Sequence, residues 1–173
     1  MAISDRLKTF LTQKKVKFKS HKHPVAYTAQ EIAASLHVSG RQLAKCVLVN
    51  TDKGVRLAVL PAVQLVDLKK LKTFLRAKTL TLGREPDIKQ HFPDVEVGAM
   101  SVFGTLYDVP TVVDKSLAAA EDIVCNAGTH TETITLRYRD FEKLVKPKVG
   151  AFGLSVADAD KRKAKGKKTK PKR

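Results

Sequence analysis

At 173 residues the chain fits one domain with a real hydrophobic core and is too short for two comfortable ones. A formal charge of +16 and a pI near 10 make a polyanion the first partner to consider, nucleic acid ahead of membrane. No segment approaches the apolar length needed to cross a bilayer, and the amino terminus lacks a signal-peptide stretch, so a cytoplasmic protein is expected.

In chain order, Ile3, Leu7, Phe10 and Leu11 repeat at helical spacing and predict an amphipathic helix over 3–14. Val16 and Phe18 alternate with lysines, as in a half-exposed strand. Thr28 and Glu31 match a capping box that opens a helix running to about Leu36. A strand over 46–51, the turn Asp52-Lys53-Gly54 and a second strand over 55–60 predict an antiparallel hairpin closed by Pro61. Leu68, Leu71, Phe74 and Leu75 mark a helix over 67–77, followed by a strand over 79–82 and a helix over 84–91 that Pro93 stops. A glycine-bounded loop, 98–104, precedes a strand at 111–114. Strands over 122–126 and 131–137 are predicted to join through an Ala127-Gly128-Thr129-His130 turn, with a last helix over 138–146. Hairpins mixed with crossovers predict an α+β domain over 1–153, its mixed, curved, barrel-like sheet surrounded by helices.

Residues 155–173 hold nine Lys or Arg and two Asp, a net of +7 that leaves +9 on the rest. The segment 154–173 has few apolar residues to offset the entropy of ordering, so a lysine-rich disordered tail is expected. Its Lys161, Arg162, Lys163, Lys165, Lys167 and Lys168 are expected to raise RNA affinity without sequence preference. Cys46 and Cys125 lie in apolar runs and read as reduced, buried thiols; no Cys-x-x-Cys pair occurs. His21, His23 and His37 are scattered through loops, and no metal or cofactor is expected.

The most informative residue is Lys45, set at the lip of the apolar run Cys46-Val47-Leu48-Val49. A lysine heading into a core needs a cavity, an anion or an altered pKa, unless its stem packs on the sheet while its head reaches water. Two glycine-marked segments, Gly98 to Gly104 and Asn126 to Thr131, are placed to wall such a cavity. Each glycine also serves in an ordinary surface turn, and His130 and Asn126 equally suit turn stabilisation.

Ala-Lys45 opening a strand, the Gly98-x-x-x-x-Phe103-Gly104 loop and the late Asn126-Ala-Gly-x-His130-x-Glu run together resemble the YbaK/ProX family of aminoacyl-tRNA deacylases, over roughly residues 1–150. The resemblance implies a fold like the prolyl-tRNA synthetase editing domain. It also implies trans-editing, meaning hydrolysis of the ester between a wrong amino acid and the tRNA 3′ end, with aminoacyl-tRNA as substrate and a synthetase as a further partner. A catalytically idle RNA-binding module or a synthetase-associated accessory protein of the same fold is the alternative. By this likeness Lys45, Gly98 and His130 are the catalytic set. Lys45 anchors the substrate electrostatically, and N–H groups of the loop meet the charge that develops on the carbonyl oxygen. Tyr27, Cys46 and Met100 are expected to line the amino-acid pocket, with Ser101, Phe103, Gly104, Asn126 and Gly128 completing the substrate-binding set. The chain departs from the family's usual Gly-x-x-x-Pro loop by carrying Val102 in place of the proline.

Overall fold

The computed structural model of the chain describes residues 4–168. Helix α1 (Asp5–Gln13) is capped by the Ser4 hydroxyl, which accepts from the Leu7 N–H, and buries Leu7 and Leu11. Strand β1 (Phe18–Lys22) leads to α2 (Ala29–Leu36), where Thr28 and Glu31 form both halves of the expected capping box. Strands β2 (Ala44–Thr51) and β3 (Gly54–Pro61) form the expected hairpin, and Gly54 supplies the φ of 102° that its turn requires. Next come β4 (Gln64–Val66), α3 (Leu68–Phe74), β5 (Leu80–Leu82) and α4 (Glu85–His91). A loop and the 3-10 turn Gly104–Tyr107 lead to β6 (Thr111–Asp114) and the short α5 (Lys115–Ala118). The chain finishes with β7 (Asp122–Thr129), β8 (Glu132–Arg137), α6 (Tyr138–Val145), β9 (Lys148–Gly150), β10 (Gly153–Ser155) and α7 (Val156–Lys168).

The sheets are mixed, as expected: five strands in the order β5-β2-β3-β6-β9, three in the order β1-β8-β7, and the pair β10-β4. β3–β6 and β6–β9 are parallel, and the other pairings are antiparallel. The two larger sheets are stitched where Leu43 bridges Val124 and the Val124 N–H donates to the Gln42 carbonyl at 2.9 Å. They pack on a common core without closing into a barrel. Alternation along β3 sends Leu57 and Val59 into that main core, with Phe103, Ile134 and Phe141, while Ala58 and Leu60 pack into a second core with Leu71 and Phe152. A third core under α2 gathers Ala26, Ile32, Leu43 and Val124. Each large side chain wholly buried this way contributes roughly 1.5–3 kcal/mol.

Two expectations are corrected. The hairpin turn sits at His130-Thr131, since β7 continues through Thr129 with a register irregularity between Asn126 and Thr129, and Gly128 adopts φ 99° there. The segment expected to be disordered forms β10, which pairs with β4, and then α7. Composition undervalued three specific contacts. The Asp158 N–H is capped by the Ser155 hydroxyl, Ala159 is 8% exposed, and Arg162 pairs at 2.7 Å with Asp67, whose side chain is 4% exposed. Residues 169–173 and the side chains of Lys167 and Lys168 lie outside the described residues.

Candidate active site

The site follows from strand register. Val124 and Leu43 are bridged neighbours whose side chains share the core under α2. Two residues further along each strand stand Asn126 and Lys45. Asn126 pairs with Thr133 on β8, and Thr133 pairs with His21 on β1. Because side chains alternate faces, Lys45, Asn126, Thr133 and His21 form one row across the floor beside α2. Lys45 is half-buried opposite Leu60. Among the described residues its ammonium makes no hydrogen bond or ion pair, and burial lowers its pKa. It is a desolvated cation without a counter-charge.

The loop before Gly98 is laced to the end of β7. The Glu96 N–H donates to the Gly128 carbonyl at 2.9 Å, the Gly128 N–H to the Ala99 carbonyl at 3.0 Å, and the Asn126 amide to the Gly98 carbonyl at 3.5 Å. The Glu96 carboxylate in turn accepts from the His130 N–H at 2.8 Å. His130 packs between Gly98, where an added Cβ would stand 3.5 Å from Cε1, and the Tyr27 ring, whose centroid lies 4.8 Å away. Its Nε2 is 2.9 Å from the Val97 carbonyl. A carbonyl only accepts, so Nε2 carries the proton and Nδ1 of the neutral ring keeps a lone pair. Gly98 holds φ 87°, and among the described residues the Gly98 and Met100 N–H groups have no intramolecular acceptor.

Strand register thus aligns Lys45 with Asn126, and hydrogen bonds and packing tie Asn126, Gly98, Gly128, His130 and the exposed Tyr27 to one another. The other five residues expected to bind substrate do not present side chains there. Cys46 lies on the opposite face of β2 from Lys45, and its thiol donates to the Ser101 carbonyl at 3.4 Å. Met100 and Phe103 are 4% and 0% exposed in the main core, and Ser101 is buried with them. A Cβ on Gly104 would meet the Val109 carbonyl oxygen at 2.6 Å, so that glycine serves close packing. These five therefore support the loop from behind, because alternation turns the β2 neighbour of Lys45 toward the core. The Val102 N–H is also taken, by the Cys125 sulfur, and burial pushes the Cys125 thiol up to about 12. That disfavours Cys125 as a thiolate nucleophile at neutral pH.

Thr133 was missed by sequence reasoning. It is 0% exposed, and among the described residues its hydroxyl has no partner, like the buried Oδ1 of Asn126 and Nε2 of His23. An unpaired buried polar group costs about 1–3 kcal/mol, and Thr133 and Asn126, paired across β7 and β8, carry two of them side by side. The signal was the Asn126 to Thr133 pairing, legible once the turn is centred two residues later.

This mixed-sheet architecture, with a half-buried lysine in register with Asn126, is that of the editing-domain fold. Residues 23–144 match the family described as the aminoacyl-tRNA editing domain, and the chain belongs to that family. Its chemistry is accordingly that of an aminoacyl-tRNA deacylase, a hydrolase. It is 28% identical over 148 residues to the prolyl-tRNA editing protein ProX of Acetoanaerobium sticklandii, covering 82% of this chain and 90% of that protein. Two crystal structures share the fold. One, reported as a candidate trans-editing enzyme for prolyl tRNA synthetase, superposes with a TM-score of 0.77 at 17% identity over 86% of this chain and 95% of its own. The other, a hypothetical protein, APE2540, gives 0.79 at 16% over 86% and 99%. No helix among the described residues is long and apolar enough to cross a membrane.

Proposed function

We propose that this chain acts in trans, hydrolysing the aminoacyl ester of mischarged tRNA after release from a synthetase in the cytoplasm. What supports this reading is the family match together with the strand register that aligns Lys45, Asn126 and Thr133, Asn126 being bonded to the Gly98 carbonyl. The Lys45 ammonium holds the ester carbonyl or the terminal phosphate, where its missing counter-charge is supplied. The free Gly98 and Met100 N–H groups meet the carbonyl oxygen as it becomes an oxyanion, and each such donor is typically worth about 2.7–4 kcal/mol in the barrier. Water attacks, His130 Nδ1 orients it or accepts its proton, and Asn126, backed by the buried Thr133, fixes the acyl group. Lys161, Lys163 and Lys165 on α7 add positive charge for RNA, with Lys167 and Lys168 continuing it in sequence; Arg162 is a strut to Asp67.

Timed ester loss from tRNAs charged with Ala, Cys, Ser, Thr and Pro tests the reading. Turnover of at least one is expected, and flat traces for all five favour the idle RNA-binding module. Co-purification with a synthetase tests the further partner.

A further inference from the structure

We propose that a second, purely cationic groove, separate from the ester site, binds the phosphodiester backbone of the tRNA. This rests on the reading of tRNA as substrate and adds the surface that holds the body of the molecule. The groove, about 750 Å³, lies where the C-terminal ends of α3 and α6 meet the start of β6 and β9. Its cations are Lys53, Arg56, Arg76, Lys146 and Lys148, and among the described residues no carboxylate lines it. Phe74, Pro110 and Val112 supply an apolar floor on which a ribose or base can rest.

Strand register ties this groove to Lys45. Arg56, Ala58 and Leu60 share one face of β3, and Leu60 pairs with Lys45, so Arg56 lies about 13 Å along the strand on the face that Lys45 occupies. Lys148 pairs with Val112 and Val112 with Ala58, which turns Lys148 the same way. Arg76 and Lys146 are both fixed in left-handed backbone, φ 52° and 50°, just beyond their helices. The exposed Lys69, Lys70 and Lys72 of α3 lie on the element that covers this face between the two places. Five like charges in one concavity repel one another, and a polyanion that crosses them releases its counterions and removes that cost. A different groove of about 640 Å³, beside β1 and β8, mixes Lys15, Lys17, Lys19, Arg137 and Arg139 with Asp122 and Asp140 and lacks this single-sign field.

The experiment measures binding of uncharged tRNA by filter retention between about 50 and 200 mM salt, a range over which phosphate contacts are read from the slope. It compares the wild-type chain, the double variant Arg56→Gln/Lys148→Gln, and the control Lys15→Gln/Lys17→Gln, with folding checked by thermal melting. The groove variant is expected to bind about tenfold more weakly at the low-salt end, with the log–log salt slope shallower by roughly 1.5, while the control stays within about twofold. Groove-variant binding within twofold of wild type, or an equal loss in the control, overturns the proposal. Uncharged tRNA has no ester, so a chain that binds through the groove but cleaves nothing in the deacylation panel keeps the groove and loses the editing reading.

Discussion

Lys45 has an environment that costs stability when the site is empty. Burial lowers its pKa, so the charged form is disfavoured in the folded chain and its penalty persists at every pH below the folded value. It is relieved only as pH rises through that value toward the unfolded lysine near about 10.4. Lys45→Met keeps the stem and removes the charge, so its melting midpoint at neutral pH is expected at or above that of the wild type; a lower midpoint means that the ammonium supports the fold. Gly98 has a different constraint. Its φ of 87° is unfavourable for any residue with a Cβ, although the space beside His130 would accept one. Gly98→Ala is therefore expected to cost about 1–2 kcal/mol in urea denaturation and to lower kcat as the loop N–H groups turn away. Unaltered kcat in a destabilised variant would show that these donors do not face the ester.

At the scale of elements, two acidic side chains hold the carboxy-terminal segment in place. Asp67 caps α3 and receives Arg162 from α7; Asp114 accepts the N–H groups of Phe152 and Gly153, where the chain turns into β10. Burial raises the pKa of each, but these donors, led at Asp114 by the Ser116 hydroxyl, outweigh it and hold both carboxyls below the usual range. Their ionised forms thus stabilise the fold at neutral pH. That contribution fades as pH falls through the unfolded value near about 3.9 toward the folded ones. Arg162→Ala is expected to cost about 1–2 kcal/mol, less than the roughly 3–5 of a fully buried pair because its side chain is 56% exposed, and to flatten the acid loss of stability. Urea midpoints from neutral pH down to about 3 read both effects, and an unchanged acid slope would remove the Asp67 pair from this account.

Elements that own their apolar pattern were legible in sequence. The capping box at Thr28, the glycine hairpin at Gly54 and the helical spacing of Leu68, Leu71 and Phe74 all specify structure within a few residues. β4, β10 and α7 were not legible, because Gln64 to Val66 and Gly153 to Ser155 are strands only through each other, and α7 depends on a partner 95 residues away in sequence. The site divides the same way. Lys45, Gly98, Asn126 and His130 stand out by type and spacing. That Cys46 and Phe103 face the core, or that Thr133 joins Lys45, depends on which face each strand presents, and sequence spacing alone left that register one turn out of place.

For the molecule as a whole, the two sheets meet at the Leu43–Val124 bridge, and that junction sets the lysine from one sheet beside the asparagine of the other. The mix of hairpins and crossovers gives mixed sheets as anticipated, but they stay open, so the floor beside α2 is a seam between sheets and not the interior of a barrel. A net charge of +16 favours association with RNA, and under the proposed function the chemistry is assigned to that seam. The most direct measurement is the first-order rate of ester loss, under single-turnover conditions, from whichever charged tRNA the wild-type chain cleaves fastest, with Lys45→Met run beside it. A rate at least about 100-fold lower in the variant, with its fold intact, is the predicted result, matching the loss of a single transition-state charge contact. Hydrolysis by Lys45→Met at the wild-type rate would contradict it.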